Sequence, residues 1–67
     1  MTLGERIRVY RDRKLLTQAE LAELVGVDKM TIWRVENGAD IKSKVLVKIA
    51  KQLSVRPDIL LGVAEMV

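Results

Sequence analysis

Apolar residues return every three or four positions along most of this chain, the spacing of a buried stripe on a helix. Leu3, Ile7 and Tyr10 share one such face, with Arg11 on its edge, and predict a helix over residues 3–14. Leu21, Ala22 and Val25 do the same over 18–25, and Ile32 with Val35 over 28–37. Val45, Leu46, Ile49, Ala50 and Leu53 make a broader stripe over 43–53. A last helix over 57–61 holds Ile59, Leu60 and Leu61, and an uncapped apolar tail follows at 63–67. The polar residues between these stripes mark the ends. Thr2 with Glu5, and Thr17 with Glu20, stand at capping-box spacing. Asp28 is placed to cap the third helix, Asn37-Gly38 to close it with a left-handed residue, and Pro57 to open the fifth. The pattern is all-α.

Residues 17–38 carry the most information. Gly26 interrupts the chain where a positive φ costs a glycine little, and Val27 fills the corner between the flanking helices. Ala22 is small where those helices must cross closely. Two short helices fixed at an angle by a tight turn form a helix-turn-helix, the unit that presents its second helix to the DNA major groove. The outward positions left on this unit are Asp28, Lys29, Met30, Trp33, Arg34 and Asn37.

Composition narrows the picture. The 67 residues suffice for a single domain, 1–67, near the lower limit for folding without staples. Hydrophobic residues are 49% of the chain but include no Phe, one Trp and one Tyr, which suits aliphatic helices packed on helices. With neither Cys nor His, the chain lacks a disulfide framework, the usual zinc ligands and the commonest general base. No converging acid pair replaces them, so an enzyme is the poorest fit, and no cofactor, metal or small-molecule ligand is expected. A net charge of +3 is by itself weak evidence for nucleic acid. Apolar runs fall far short of the roughly 18 residues of a membrane span, and the N-terminus lacks a signal-peptide core. A cytoplasmic protein is the simplest expectation.

Leu3-Gly4-Glu5-Arg6-Ile7-Arg8, Arg11, Leu16-Thr17-Gln18, Glu20-Leu21-Ala22, Gly26-Val27, Thr31-Ile32, Glu36-Asn37-Gly38, Lys48-Ile49-Ala50 and Val55 with Pro57-Asp58 together form a specific pattern. By it the chain resembles the phage-repressor-like, Xre-type helix-turn-helix domains, compact five-helix lambda-repressor-like DNA-binding modules. The resemblance implies that Gln18 grips a phosphate through its amide and free backbone N–H. It implies that Asp28, Lys29, Met30 and Arg34 face base edges. Asn37 and the loop through Lys42 to Lys44 would add backbone contacts, and Arg11 with Glu36 would bridge the first helix to the end of the third. Four positions depart from the family pattern: Leu15 for a glycine, Arg56 for a small capping residue, Ser43 for an apolar one, and Trp33, the departure that bears on function. A left-handed Leu15 would cost roughly 1 kcal/mol or more.

Each outward residue also has a plainer reading. Lys29 and Arg34 could be a solvated face, Met30 a core filler, and Asp28 a cap only. Trp33, one position out of register with Ile32 and Val35, could cover the sugar–phosphate wall, the fourth helix or a protein partner. For Lys42 and Lys44 phosphate contact is favoured, while Lys48 and Lys51 read as a hydrated outer face. Ile59, Leu60, Leu61, Val63, Met66 and Val67 exceed what one short helix can hide, and relatives of this length often pair there.

The expectation is therefore a homodimer that binds palindromic half-sites on double-stranded DNA as a transcriptional regulator, with repression preferred to activation. The rival is a protein-interaction module on the same scaffold, of an antitoxin or antagonist kind, that does not bind DNA.

Overall fold

The computed structural model describes residues 1–63. It contains five helices in chain order: α1 (Leu3–Arg13), α2 (Gln18–Val25), α3 (Lys29–Glu36), α4 (Ser43–Gln52) and α5 (Pro57–Leu61). α2 packs on both α3 and α4, α1 on α3 and α5, and α4 on α5. The stripes converge on one core in which Ile7, Leu21, Ile32, Ile49, Leu53 and Leu60 are almost wholly excluded from solvent. Ala22, Val25, Val35, Leu46 and Ala50 complete it. The all-α, five-helix architecture expected from periodicity is what the chain adopts. Among the described residues no helix is long and apolar enough to cross a membrane.

Both capping boxes close. The Thr2 N–H donates to Glu5 Oε1 at 2.8 Å and the Glu5 N–H to Thr2 Oγ1 at 3.2 Å. The Thr17–Glu20 pair repeats this at 2.9 and 3.0 Å at the head of α2. The Thr2 and Thr17 amides therefore hold the Glu5 and Glu20 carboxyls below their ordinary pKa. Gly26 ends α2 at φ +86°, and both its N–H and that of Val27 reach the Ala22 carbonyl, which fixes the bend into α3. At the end of α3 the left-handed position falls on Gly38, φ +103°, while Asn37 stays at φ −102°.

The approach of α1 to α3 depends on Gly4. A Cβ there would fall onto the Val35 carbonyl oxygen and lie 2.7 Å from that of Glu36. Only the missing side chain lets the start of α1 lie against the last turn of α3. That contact was not foreseen from periodicity, because it joins positions more than thirty residues apart.

Among the described residues two non-glycine positions have positive φ: Leu15 at 56° and Ser54 at 59°. Leu15 follows α1, where the family pattern favours glycine, and its side chain is 89% exposed, so it recovers almost nothing by burial. The turn is held instead by the Leu16 N–H, bonded to the Arg11 carbonyl at 3.2 Å. Leu15→Gly should relieve about 1–2 kcal/mol of left-handed strain against about 0.5–1 kcal/mol of added chain entropy in the unfolded state. A net gain of up to about 1.5 kcal/mol in urea unfolding is expected; a loss would show that the conformation is not strained.

Candidate nucleic-acid interface

The surface begins with the way α3 is held. Asp28 accepts from the Thr31 N–H at 2.8 Å and the Thr31 hydroxyl at 2.6 Å, both on Oδ1. These bonds, side chain first and then backbone, with a smaller contribution from the Arg34 charge, keep its carboxyl below the usual range. Asp28 is thus ionised and engaged as the cap, at the end of α3 where the dipole favours it. Ile32 and Val35 are buried and Thr31 is half-buried, so the remaining side chains must point away from the core. Lys29 and Arg34 are exposed, Met30 is 50% exposed and Trp33 49%. Large apolar side chains left half in water on a short helix mark a surface that something else covers.

The other end of α3 is fixed by a polar network. Arg11 Nε donates to Glu36 Oε2 at 2.7 Å and Nη2 to Oε1 at 3.0 Å, while Nη1 reaches the Leu16 carbonyl at 2.9 Å. Gln18 Nε2 donates to the same Oε1 at 3.1 Å. Side-chain exposure is 10% for Arg11 and 3% for Glu36. The hydrogen bond to Glu36 leads the causes that raise the Arg11 pKa, so the guanidinium stays charged. One carboxylate therefore ties α1, the head of α2 and the tail of α3 together.

This network modifies the expectation for Gln18. One of its two amide N–H groups is spent on Glu36, so only the second and the backbone N–H remain for a ligand. Asn37 likewise donates Nδ2 to the Trp33 carbonyl at 2.8 Å.

Two concavities meet at Trp33. A largely apolar one of about 520 Å³ is lined by Gln18, Asp28, Lys29, Met30 and Trp33. A polar one of about 360 Å³ is lined by Arg8, Arg11, Gln18, Trp33, Glu36 and Asn37. Trp33 and Gln18 border both. The structure thus brings Gln18, Asp28, Lys29, Met30, Trp33 and Asn37 into one continuous region. Lys42 lies across α3 from it, on a recess shared with Val27, Thr31 and Asp40. Arg34 and Lys44 are exposed but line neither of the two concavities at Trp33. Arg8 was not singled out from the sequence, although its place one turn before Arg11 on α1 was the available signal.

The expected pairing surface needs a correction. Leu60 has no exposed surface and closes this chain's own core, since α5 lies against both α1 and α4. Leu61 and Val63 are 48% and 55% exposed, and Ile59 is half-buried. Met66 and Val67 lie outside the described residues.

With this geometry in place, comparison with known proteins is specific. The helix-turn-helix family model matches residues 7–60. The chain belongs to the Xre-type helix-turn-helix family. The P22 c2 repressor, solved in complex with a synthetic operator, is 34% identical, with a TM-score of 0.87 over 91% of this chain and 94% of that one. A solution structure of the DNA-binding domain of the P22 c2 repressor is again 34% identical, with a TM-score of 0.86 over 91% of this chain and 82% of that one. A chain of the SinR protein/SinI protein complex is 30% identical, with a TM-score of 0.86 over 98% of this chain and 67% of that one.

Removing the central carboxylate of the network tests its role. Glu36→Ala leaves a nearly buried guanidinium with only the exposed Asp12 carboxylate, 3.3 Å from Nη1, as an ion partner and should cost about 3–5 kcal/mol at most in urea unfolding. Replacing both partners, Arg11→Met with Glu36→Leu, should cost less than the single change. A single-mutant loss below about 1 kcal/mol, within the range of a surface pair, would contradict that account.

Proposed function

We propose that this chain is a single-domain, sequence-specific DNA-binding regulator that acts as a homodimer and represses transcription by occluding a promoter. The reading is carried by the α3 surface, where Lys29, Met30, Trp33 and Arg34 stand exposed beside the head of α2. The P22 c2 repressor in complex with its synthetic operator supports it, as a relative of the same fold over nearly the whole chain.

In this reading α3 enters a major groove. Lys29 and Arg34 donate to base edges, Met30 offers an apolar contact, and Asp28 acts chiefly as a cap. Gln18 and Asn37 grip the backbone from one side, and Lys42 and Lys44 from the other. An eight-residue helix is about 12 Å long and reads one short half-site. Two half-sites about 34 Å apart on one face of the duplex therefore require two copies. Ile59, Leu61 and Val63 of α5 and its flank are the surface assigned to that pairing. Action on DNA makes the cytoplasm the assigned site of action. Control is assigned to protein concentration or a partner protein, and no catalytic step is assigned to the chain.

The second reading is a module that binds protein instead of DNA. The SinR protein/SinI protein complex supports it, since a chain of this fold occurs there in a protein assembly. A gel shift on the DNA upstream of the gene separates the two, and selection from a random pool defines the site.

If about 6 to 8 phosphates are contacted per dimer, affinity should fall by about three to four orders of magnitude between 50 and 200 mM salt. A flat response would argue for the protein-binding module. Arg34→Ala should cost about 1–3 kcal/mol on the selected site and relax base preference at one position. Equal losses on selected and random DNA would make Arg34 a phosphate contact.

A further inference from the structure

Two helix faces have no role in the α3 surface or the α5 flank. The first is the outer side of α2. There Leu16, Glu20, Glu23 and Leu24 line a recess of about 360 Å³ that shares no residue with either concavity at Trp33. Leu24 is half exposed, and Leu15, next to Leu16 in the chain, lies almost wholly in solvent. Exposed leucines around one recess mark a surface that another body covers. Glu20 is fixed at the rim by its bonds with Thr17, which hold its carboxyl below the ordinary pKa. Glu23 is exposed and has no ion pair among the described residues. α2 contains two glutamates and no basic residue, so an acidic rim surrounds an apolar recess in a chain of net charge +3.

The second face is the outer side of α4. Leu46, Ile49 and Ala50 turn into the core, which leaves Val47, Lys48 and Lys51 exposed on the opposite side. α4 contains three lysines and no acidic residue, and neither Lys48 nor Lys51 has an ion pair among the described residues. Val47, 54% exposed, is an apolar side chain set among them. The two faces match in spacing as well as in charge. Glu20 and Glu23 stand three residues apart on α2, as Lys48 and Lys51 do on α4, about 4.5 Å along each axis. Leu24 follows Glu23, and Val47 precedes Lys48. Laid antiparallel, the helices set Glu20 against Lys51, Glu23 against Lys48 and Leu24 against Val47. A parallel arrangement keeps the charge pairs but separates the two apolar side chains. Within one chain the faces cannot meet, because α2 and α4 pack together through their buried sides.

We propose that the outer face of α2 in one copy docks antiparallel on the outer face of α4 in a second copy of this chain. Different patches meet in this contact, so it is head-to-tail and propagates, whereas a two-fold pairing through α5 closes on itself. One short helix from each copy is far less than a standard interface, so the contact is weak and sensitive to salt. Neither face contributes to the recesses at Trp33. On the DNA-binding reading, the contact would therefore join neighbouring dimers side by side on one duplex while their α3 surfaces stay engaged.

Sedimentation velocity on the full chain without DNA, from about 10 μM to about 1 mM, measures the contact whether or not the protein binds DNA. Wild type should form species larger than a dimer at low salt and lose them at about 1 M salt, where the Debye length is about 3 Å. Glu23→Lys and Lys48→Glu, both at exposed positions, should each weaken this association at least about tenfold by setting like charges opposite each other. An equimolar mixture of the two variants should recover it to within about threefold, and so should the double variant. Leu61→Ser, which removes an exposed side chain of the α5 flank, should leave the salt-sensitive growth in place. A wild type that stops at a dimer would overturn the proposal, as would charge variants that behave like wild type. A mixture that stays dissociated would overturn it too, and so would growth lost with Leu61→Ser alone. Growth that proceeds with no separate two-fold dimer would support the α2–α4 contact and remove only the α5 pairing.

Discussion

Glu36 is the residue on which the arrangement of the surface depends. Its carboxylate takes two bonds from Arg11 and one from Gln18, and Arg11 in turn holds the Leu16 carbonyl. The tail of α3, the length of α1 and the head of α2 are thereby locked in one geometry. Hydrophobic burial alone would not do this, because contacts between aliphatic side chains carry little directionality. A buried ion pair contributes little net stability after desolvation, but it penalises arrangements in which either charge loses its partner. In a domain whose core is almost wholly aliphatic, this network supplies much of the orientation.

Gly4 and the turn at Gly26 work toward the same end. Without a Cβ at Gly4, α1 reaches the carbonyls at the end of α3 and brings Arg11 within range of Glu36. The Gly26 turn sets the start of α3, where Asp28 engages Thr31. α3 is therefore constrained at both ends while its outer face carries exposed Met30, Trp33, Lys29 and Arg34. A rigid display of this kind limits the entropy lost on binding, because its backbone is ordered beforehand.

Some features were legible from residue spacing because they are local. Capping boxes at Thr2–Glu5 and Thr17–Glu20 act over three residues, and the stripes of α2, α3 and α4 repeat within two turns. The left-handed Leu15 was legible only as a departure from the family pattern. Leu60 and Leu61 are neighbours with opposite fates, one wholly buried and one 48% exposed. Two adjacent leucines give the same signal in a five-residue helix, and only the packing of α5 on α1 and α4 separates them. Ser54, with φ +59°, carried no sequence warning at all.

The chain's own letters determined the helices, their caps and the bend between α2 and α3, since each follows from hydrogen bonds and side-chain periodicity over a few residues. Tertiary structure alone decided that Gln18 spends an amide proton on Glu36, that Gly4 sits against the end of α3, and that Arg8 shares a recess with Asn37. These neighbours lie on different helices. Their separation in space depends on how the helices pack, and no spacing along the chain encodes it.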